Sequence, residues 1–278
     1  MTFVDLKHRP HFADPIGPRR IVSLNLCTDQ LLMMLAPDRI AALSVLATDP
    51  LLSVMAAQAG KYPLVRGDAE EVLRFDPDLI VAAPFAARAT VDLLRRLQRR
   101  VLVAELSQDV DGLEQTLRGV AREVGAVERA EVVIAALRAE LRSVVPPPAS
   151  ARPAALVINF GGLPSGAGSL ADTALQLAGY RNAAVDYAAN AAGTIPLEAI
   201  VARPPDLLVL GQSPGDYRTV RADNLRHPAL AALLQRIPHA SLPQSLTLCA
   251  TPHVTHAIKI LAAQRPAAQD RSNTRSRP

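Results

Sequence analysis

The sequence predicts an α/β protein of two lobes, each built on a mostly parallel sheet, with one long α-helix joining them and a ligand cleft between them. Three observations lead to this fold. Short apolar strands alternate with helical segments in both halves, a long helical stretch lies mid-chain, and one segment of the first half recurs in the second. Such alternation is typical of parallel sheets covered by helices on both faces. A chain of 278 residues has room for two such lobes.

The connecting helix is predicted at residues 128–145. This stretch contains neither Gly nor Pro, and its apolar residues recur at three- and four-residue steps, the period of one helix face. Gly125 and the prolines 146–148 are helix terminators on either side. At about 1.5 Å per residue the helix would span roughly 27 Å. We therefore divide the chain into a flexible segment (1–18), a first lobe (19–126), the helix (127–146), a second lobe (147–264) and a disordered tail (265–278).

In the first lobe, apolar runs predict strands at residues 20–25, 40–43, 78–83 and 101–103. Helices are predicted at 31–37, 50–59, 69–75 and 87–99, and residues 61–67 are predicted to form a loop. Thr28 or Asp29 is a suitable N-cap for the first helix.

In the second lobe, strands are predicted at residues 155–159, 206–209 and 245–248, and helices at 170–178, 228–236 and 255–263. The segment 198–209 repeats the segment 70–81, with identical residues at five of twelve positions. Because both copies occupy equivalent places in the alternation of strands and helices, the match indicates an internal duplication.

Composition excludes several classes of protein. Hydrophobic residues make up 49% of the chain, which is typical of a globular protein. With 3% aromatic residues and a net charge of only +4, the chain lacks the basic, aromatic-rich face of a nucleic-acid binder. No apolar run reaches the length of a membrane span. The first twenty residues are polar and rich in Pro, without the apolar core of a secretory signal, so we expect either a cytoplasmic protein or a chain from which the signal is absent.

Taken together, these segments resemble the substrate-binding proteins of ABC importers, in the class with a single long connecting helix. The matching stretches are RRIVSLNLCTDQLLMMLAPDRIAALS, RGDAEEVLRFDPDLIVAAP, the connecting helix, GLPSGAGSLADTALQLAGYRN and IPLEAIVARPPDLLVLGQS, which together cover about residues 19–264. The repeated Glu-to-Pro-Asp segments are the most specific of them.

The resemblance implies a periplasmic binding protein rather than an enzyme. It would capture an iron complex (a siderophore complex or haem) or a cobalamin-type ligand and deliver it to an ABC permease dimer, with no cofactor of its own. We also expect a monomer that binds no nucleic acid. Two alternatives are a metal- or cofactor-binding module not tied to a transporter, and an α/β enzyme that uses the Gly-rich loop at 161–168.

Ligands of open parallel sheets bind beyond the carboxyl ends of the strands. This rule selects the candidate ligand-binding residues Asn25, Cys27, Thr28, Arg66, Phe85, Arg88, Phe160, Gly162, Gln212, Ser213, Tyr217, Cys249 and His253. Arg66 and Arg88 can clamp carboxylates of the ligand. Phe85 and Phe160 can stack on a flat ligand, although core packing accounts for them equally well.

Other kinds of site have weaker support. The Gly-rich loop lacks the Gly-Lys-Ser/Thr ending of a phosphate-binding loop, and no G-x-S-x-G sequence indicates a hydrolase. His253 and His256 are three residues apart and can share a helix face, but no paired carboxylate accompanies them, so we predict no dedicated metal site.

Cys27 and Cys249, the only cysteines, each follow a predicted strand. Three outcomes remain open: a disulfide, a ligand-facing thiol pair, or two unrelated buried thiols. A disulfide would tie one predicted lobe to the other, which argues against it.

Glu70 and Glu198 start the two repeated helices, one in each lobe. Helix capping explains one such Glu but not its recurrence. The resemblance implies that one Glu per lobe docks on Arg residues of the permease, and Glu71 is the alternative to Glu70 in the first lobe.

Overall fold

The computed structural model describes residues 17–84, 87–159, 164–189, 193–211 and 227–275. The chain divides into two compact units. The first consists of Met1–Glu140 with Cys249–Pro252, and the second of Leu141–Leu248 with His253–Pro278. Of the predicted N-terminal segment 1–18, residues 1–16 lie outside the described part of the chain.

The first unit is an α/β fold on a parallel sheet. Its elements are β1 (Ile21–Ser23), α1 (Leu26–Leu35), β2 (Ile40–Ser44), α2 (Ala56–Ala59), β3 (Leu64–Val65), α3 (Ala69–Leu73), β4 (Leu79–Ala82), α4 (Arg88–Arg96), β5 (Val101–Val103), α5 (Val110–Val124) and α6 (Val127–Arg142). The strand order is β3-β2-β1-β4-β5, and every pairing is parallel. Helices α1 to α4 lie in the crossovers that parallel pairing requires.

The second unit repeats this plan. Its elements are β6 (Ala154–Ile158), α7 (Leu170–Leu177), β7 (Arg181–Asn182), α8 (Leu197–Ala202), β8 (Leu207–Leu210), α9 (Pro228–Leu234), β9 (His239–Ser241), α10 (Ser245–Leu248) and α11 (Val254–Arg275). The strand order is β7-β6-β8-β9, again with parallel pairing throughout. The predicted fold class of two units with parallel sheets is therefore confirmed.

The central strands of both sheets are apolar because helices cover them on both faces. All residues of β4, β6 and β8 are buried. Around them, buried Val, Ile and Leu side chains of the flanking helices complete a separate core in each unit.

The internal duplication has a structural reason in the two Pro-Asp motifs. Asp78 lies just before β4, and its carboxylate accepts hydrogen bonds from the backbone N–H groups of Arg19 and Arg20, at 2.6 and 2.9 Å. Asp206 lies just before β8 and accepts from the N–H of Ala154, at 2.8 Å. In both units, the repeated Asp thus holds the start of the first strand, β1 or β6, beside the strand that follows the Asp, β4 or β8. A charge-assisted bond of this kind stabilises by about 1.5–3 kcal/mol.

Helix α6 forms where the connecting helix is predicted but ends at Arg142 rather than at residue 146. Its buried face consists of Ala130, Val133, Ile134 and Leu137, at the expected helical spacing. The first unit ends at Glu140 and the second begins at Leu141, in the last turn of this helix.

Two predictions about the end of the chain are wrong. Residues 245–248 form α10 rather than a strand, and the closing strand is instead β9, whose His239 pairs with Leu208 of β8. The tail predicted as disordered continues α11 as far as Arg275. It is ordered by tertiary contacts: Ala268 is completely buried, and Arg271 Nε donates to the carbonyl of Pro205 at 3.2 Å.

Candidate functional site

The carboxyl edge of the first sheet carries the candidate residues of the first unit. Asn25 and Cys27 follow β1, Arg66 follows β3, and Arg88 follows β4. Phe85 lies outside the described residues. Since the strand order places β3, β2, β1 and β4 side by side, the loops that carry these residues emerge at one edge.

The loop after β1 is built around a helix cap. Asn25, in an extended conformation, is the N-cap of α1, and its side-chain oxygen accepts from the N–H of Cys27 at 2.9 Å. The prediction of Thr28 or Asp29 as the cap is therefore wrong. Thr28 is completely buried, donates to the carbonyl of Asn25 at 2.9 Å and shares a 2.7 Å hydrogen bond with Ser23. Thr28 supports this loop and offers no surface to a ligand.

Cys27 and Cys249 form a disulfide, with a Cα–Cα distance of 5.1 Å. Of the three outcomes that the sequence left open, the disulfide is the one the structure shows, and the two with free thiols are excluded. The sequence argument against the bond assumed that Cys249 belongs to the second lobe. The segment Cys249–Pro252 instead belongs to the first unit, so both cysteines lie inside that unit.

A buried carboxylate that the sequence analysis considered only as a cap lies beneath the same loop. Asp29 is completely buried and accepts from the N–H of Ser44 at 3.1 Å and from its hydroxyl at 2.5 Å. Burial raises the pKa of Asp29 from 3.8 to about 6, although the hydrogen bonds from Ser23 and Ser44 oppose that rise. Asp29 joins α1 to the carboxyl end of β2 and has a positioning role.

The two arginine-bearing loops meet. Gly67 has a φ of 102° and Ala87 a φ of 50°, both left-handed conformations. A Cβ at position 67 would lie 4.0 Å from the Cβ of Ala87. Arg66 and Arg88 are the neighbours of these two residues and both are exposed. The loops that carry the two arginines therefore lie close together at one end of the sheet, which the clamp hypothesis requires.

Sequence reasoning missed an apolar pair at this edge. Val45 and Leu46 directly follow β2 and are 41% and 47% exposed. Apolar residues that continue past the end of a buried strand were the available signal. They leave an exposed apolar surface at the same edge as the polar loops.

In the second unit, Phe160, Gly162, Gln212, Ser213 and Tyr217 lie outside the described residues. The neighbouring strand ends are described, and they are tightly packed. A Cβ on Gly211, which follows β8, would lie 2.3 Å from Asn159 Oδ1, which follows β6. Asn159 Nδ2 in turn donates to Ser165 Oγ at 2.8 Å.

His253 lies just before α11, half-buried, with its ring centroid 6.3 Å from that of His256. Burial, and secondarily the neighbouring His256, lowers the pKa of His253 to about 4, so its imidazole is neutral at pH 7. A neutral imidazole is suited to contact an uncharged group or a cargo metal. Within the described residues, no group of three or more His, Cys, Asp or Glu side chains is arranged to hold a metal ion.

Glu70 and Glu198 occupy equivalent exposed positions in the first turns of α3 and α8. The side chain of Glu70 is 83% exposed and pairs with Arg74 at 2.7 Å, on its own helix. The carboxylate of Glu71 instead accepts from the N–H of Arg66 at 2.7 Å. Because Glu71 is held against the loop, Glu70 is the residue that matches Glu198.

Two units on parallel sheets, each with polar residues after its strands, are the architecture of α/β proteins that bind ligands at strand ends. The chain belongs to the family described as "Periplasmic binding protein", whose sequence model matches residues 21–234. The family predicted from the sequence is confirmed. Among the described residues, we find no helix that combines the length and the apolar character needed to cross a membrane.

Solved structures of this fold include the periplasmic haem-binding protein RhuT from Roseiflexus sp. RS-1, at 24% identity and a TM-score of 0.69, with 91% of this chain and 100% of that chain covered. A periplasmic haem-binding protein from Pseudomonas aeruginosa is similar at 21% identity and a TM-score of 0.67, with 90% and 93% covered. A cobalamin-binding protein of Halobacterium salinarum is 28% identical over 204 residues, which are 70% of this chain and 54% of that protein. The chain thus spans about half the length of the curated relatives that it matches.

Proposed function

We propose that this protein is the substrate-binding component of an ABC importer. It captures an iron complex (a siderophore complex or haem) or a cobalamin-type ligand, carries out no covalent chemistry, and delivers the ligand to a membrane permease. Membership of a family of binding proteins supports this role. The names of the similar haem-binding and cobalamin-binding proteins support the class of ligand.

The meeting of the loops that carry Arg66 and Arg88 is the observation that carries this proposal. Two exposed arginines on neighbouring loops at one edge of the sheet favour a ligand with carboxylates or other oxyanions, because each guanidinium has a planar fork of donors. The exposed Val45 and Leu46 beside them favour a ligand that also has an apolar face. Acidic side groups on an apolar ring system, as in haem or a corrinoid, satisfy both requirements.

The ligand is tested by titrating the purified protein with haemin, with cyanocobalamin and with a ferric hydroxamate, and following visible absorbance. We expect saturable binding of one class, and a loss of about tenfold or more in affinity when Arg66→Gln and Arg88→Gln are combined. Arg95→Gln, an exposed arginine of α4, removes the same kind of charge elsewhere and should leave affinity unchanged. If none of the three ligands binds, or if the double variant binds as well as the wild type, the proposed ligand class is wrong.

We further propose that Glu70 and Glu198 dock the protein on its permease. Both are exposed in equivalent first helical turns of the two units, so they can present matched acidic groups to a partner of two subunits. Exposed charge pairs contribute little free energy individually, but charge-matched surfaces orient a complex. The binding energy for the ligand comes from other residues.

Combining Glu70→Ala with Glu198→Ala should leave ligand affinity and melting temperature nearly unchanged and abolish stimulation of the transporter's ATPase. Asp111→Ala is the matched control, because Asp111 is an exposed acid in the first turn of α5. A double variant that loses the ligand but still stimulates the ATPase would place the glutamates in the binding site instead.

We propose that the protein works in the periplasm as a monomer. The Cys27–Cys249 disulfide supports an oxidising compartment, since such bonds are rare in the cytoplasm. Fractionation of the native host with thiol labelling tests this: the disulfide-bonded protein should appear in the periplasmic fraction. Recovery of reduced protein from the cytoplasm would favour the alternative, a binding module not tied to a transporter.

A further inference from the structure

A cavity of about 290 Å³ opens at the amino edge of the second unit's sheet. Its walls come from residues at or just before the starts of β6, β7 and β8 and from the turn after β7: Ala154, Arg181, Ala183, Asp186, Tyr187, Arg203, Pro204 and Pro205. Asn159 and Gly211, which end the same strands, lie at the opposite edge. The cavity is therefore separate from the carboxyl-edge positions at which we predict the transported ligand.

Two arginines converge on one acidic residue in this cavity. Arg181 Nη1 lies 2.6 Å from the Asp186 carboxylate, and the Arg203 guanidinium donates to the Asp186 carbonyl. The Arg203 guanidinium also lies 5.4 Å from the centre of the Tyr187 ring, and the Tyr187 hydroxyl donates to the carbonyl of Arg203 at 2.6 Å. Each guanidinium is thus held in place by contacts within the unit.

The charges in this cavity are unequal. Two guanidinium groups face a single carboxylate, and that carboxylate is already paired with Arg181. A guanidinium has five N–H donors, and within the described residues the side chains of Arg181 and Arg203 each use one or two of them. The carboxylate of Asp186 balances the charge of one guanidinium, which leaves one positive charge among the lining side chains. An oxyanion would balance that charge and accept the remaining donors.

The remaining walls determine the size and character of the occupant. Tyr187, Pro204, Pro205 and two alanines also line the cavity, so part of its wall is apolar. At about 30 Å³ per water molecule, the volume corresponds to roughly ten non-hydrogen atoms. That is far too small for a macrocycle such as haem or a corrinoid.

We infer that this cavity is a second binding site, which takes a small organic oxyanion with a compact apolar body. Arg203, stacked on Tyr187, and Arg181 bind the oxyanion, and the two prolines cover the carbon frame. A carboxylate and a phosphate monoester share the planar or tripodal oxygen geometry that a guanidinium fork recognises.

Benzoate and phenyl phosphate are the probes, because they share the ring and differ in the oxyanion. Each is titrated into the full chain labelled with ¹⁵N, up to about 10 mM, which detects dissociation constants in the millimolar range. We expect saturable shifts of the backbone amides of Ala183, Asp186 and Tyr187. Tighter binding of benzoate would identify the natural occupant as a carboxylate, and tighter binding of phenyl phosphate would identify it as a phosphate ester. Equal binding of the two would support a site for organic oxyanions in general. If neither probe shifts these amides saturably, the inference is wrong.

Variants test the roles of the two arginines. Arg203→Gln and Arg181→Gln should each weaken binding about tenfold or more, since each removes a charge-assisted fork. The control is Arg142→Gln, which removes an exposed arginine at the end of α6 that does not line the cavity, and this variant should bind as the wild type does. If both cavity variants bind the probes as well as the wild type does, the assignment of the two arginines as the oxyanion site is wrong. If a variant fails to fold, the amide shifts of the wild type decide whether the cavity binds the probes. Haemin or cyanocobalamin affinity is expected to stay the same in Arg203→Gln, so this site and the proposed transport function can fail independently.

Discussion

Replacing Cys27 and Cys249 together by Ala should lower the free energy of unfolding by about 3–5 kcal/mol. The bond joins the first turn of α1 to a buried segment near the end of the chain, and both ends lie in the first unit. In the folded protein, Ala fits where each Cys was, so the change acts mainly on the unfolded chain. Without the bond, that chain gains the conformations that the cross-link excludes.

The magnitude follows from the loop that the bond closes. The two cysteines are separated by 222 positions. In the chain-entropy relation, a loop of this length corresponds to about 5 kcal/mol at 25 °C. Residual structure in the unfolded chain reduces this figure. Cys249 is almost completely buried, so its loss also leaves a small cavity that adds to the destabilisation.

The assay is equilibrium unfolding in guanidinium chloride, with and without dithiothreitol. The wild type should lose about the same free energy on reduction as the double variant loses by mutation. The double variant is its own control, because the reductant should leave its midpoint unchanged. A wild type insensitive to reductant, or two free thiols titrated in the unfolded, unreduced protein, would refute the disulfide and the stability argument built on it.

Three further changes test individual side chains. Asp29→Asn should raise the free energy of unfolding by up to about 3 kcal/mol at pH 7 and by little at pH 4, measured as chemical unfolding at each pH. The folded pKa of about 6 lies above the ordinary 3.8, so the folded state binds the proton more tightly and this residue's contribution to stability is lost as the pH rises through 6. Tyr180→Phe removes the 3.1 Å hydrogen bond to the buried carbonyl of Leu261 and should lower the free energy of unfolding by about 1 kcal/mol, with a lower melting temperature. An unchanged melting temperature would show that water replaces the hydroxyl. Glu114→Gln weakens the 2.6 Å pair with Arg138 and should cost about 1–2 kcal/mol at pH 7. Because Arg138 holds the pKa of Glu114 below its usual range, the cost should fall as the pH drops below 4.5, and a pH-independent loss would point to packing.

Much of the first unit was predictable because its signals are local. The apolar runs at β1, β2, β4 and β5 have the composition of strands buried on both faces. The face of α6 formed by Ala130 to Leu137 shows the helical period directly. The Pro-Asp repeat also predicted the two central strands, and the hydrogen bonds of Asp78 and Asp206 explain why it recurs.

The failures concern segments whose structure depends on distant partners. The run Ser245 to Leu248 alternates like a strand, but the free edge of β8 is taken by His239 to Ser241, whose sequence has no strong strand signal. The polar tail is helical because Arg271 reaches the carbonyl of Pro205 and Ala268 is buried. Neither partner is adjacent in the sequence, so no local pattern reveals it.

Part of the candidate site was likewise predictable from the sequence, and part depends on tertiary structure. Residue type and position after a strand were sufficient to select Asn25, Arg66 and Arg88, because the carboxyl ends of parallel strands share one edge. Only the tertiary structure revealed that the two arginine loops lie close together at Gly67 and Ala87, and that Thr28 is buried beneath its own loop. Burial and contact between loops depend on how the helices pack, which is not a property of the loops' own residues.

The sequence by itself determined the class of fold, the duplication and the family, because these depend on the period of apolar residues and on short motifs along the chain. The tertiary structure alone decided that Cys249 joins the first unit and bonds to Cys27, and that Arg181 and Arg203 meet over Asp186. Each of those contacts joins residues brought together by strand order and helix packing. The position of each partner depends on the free energy of the whole unit, so it cannot be predicted from the residues adjacent to that partner in the sequence.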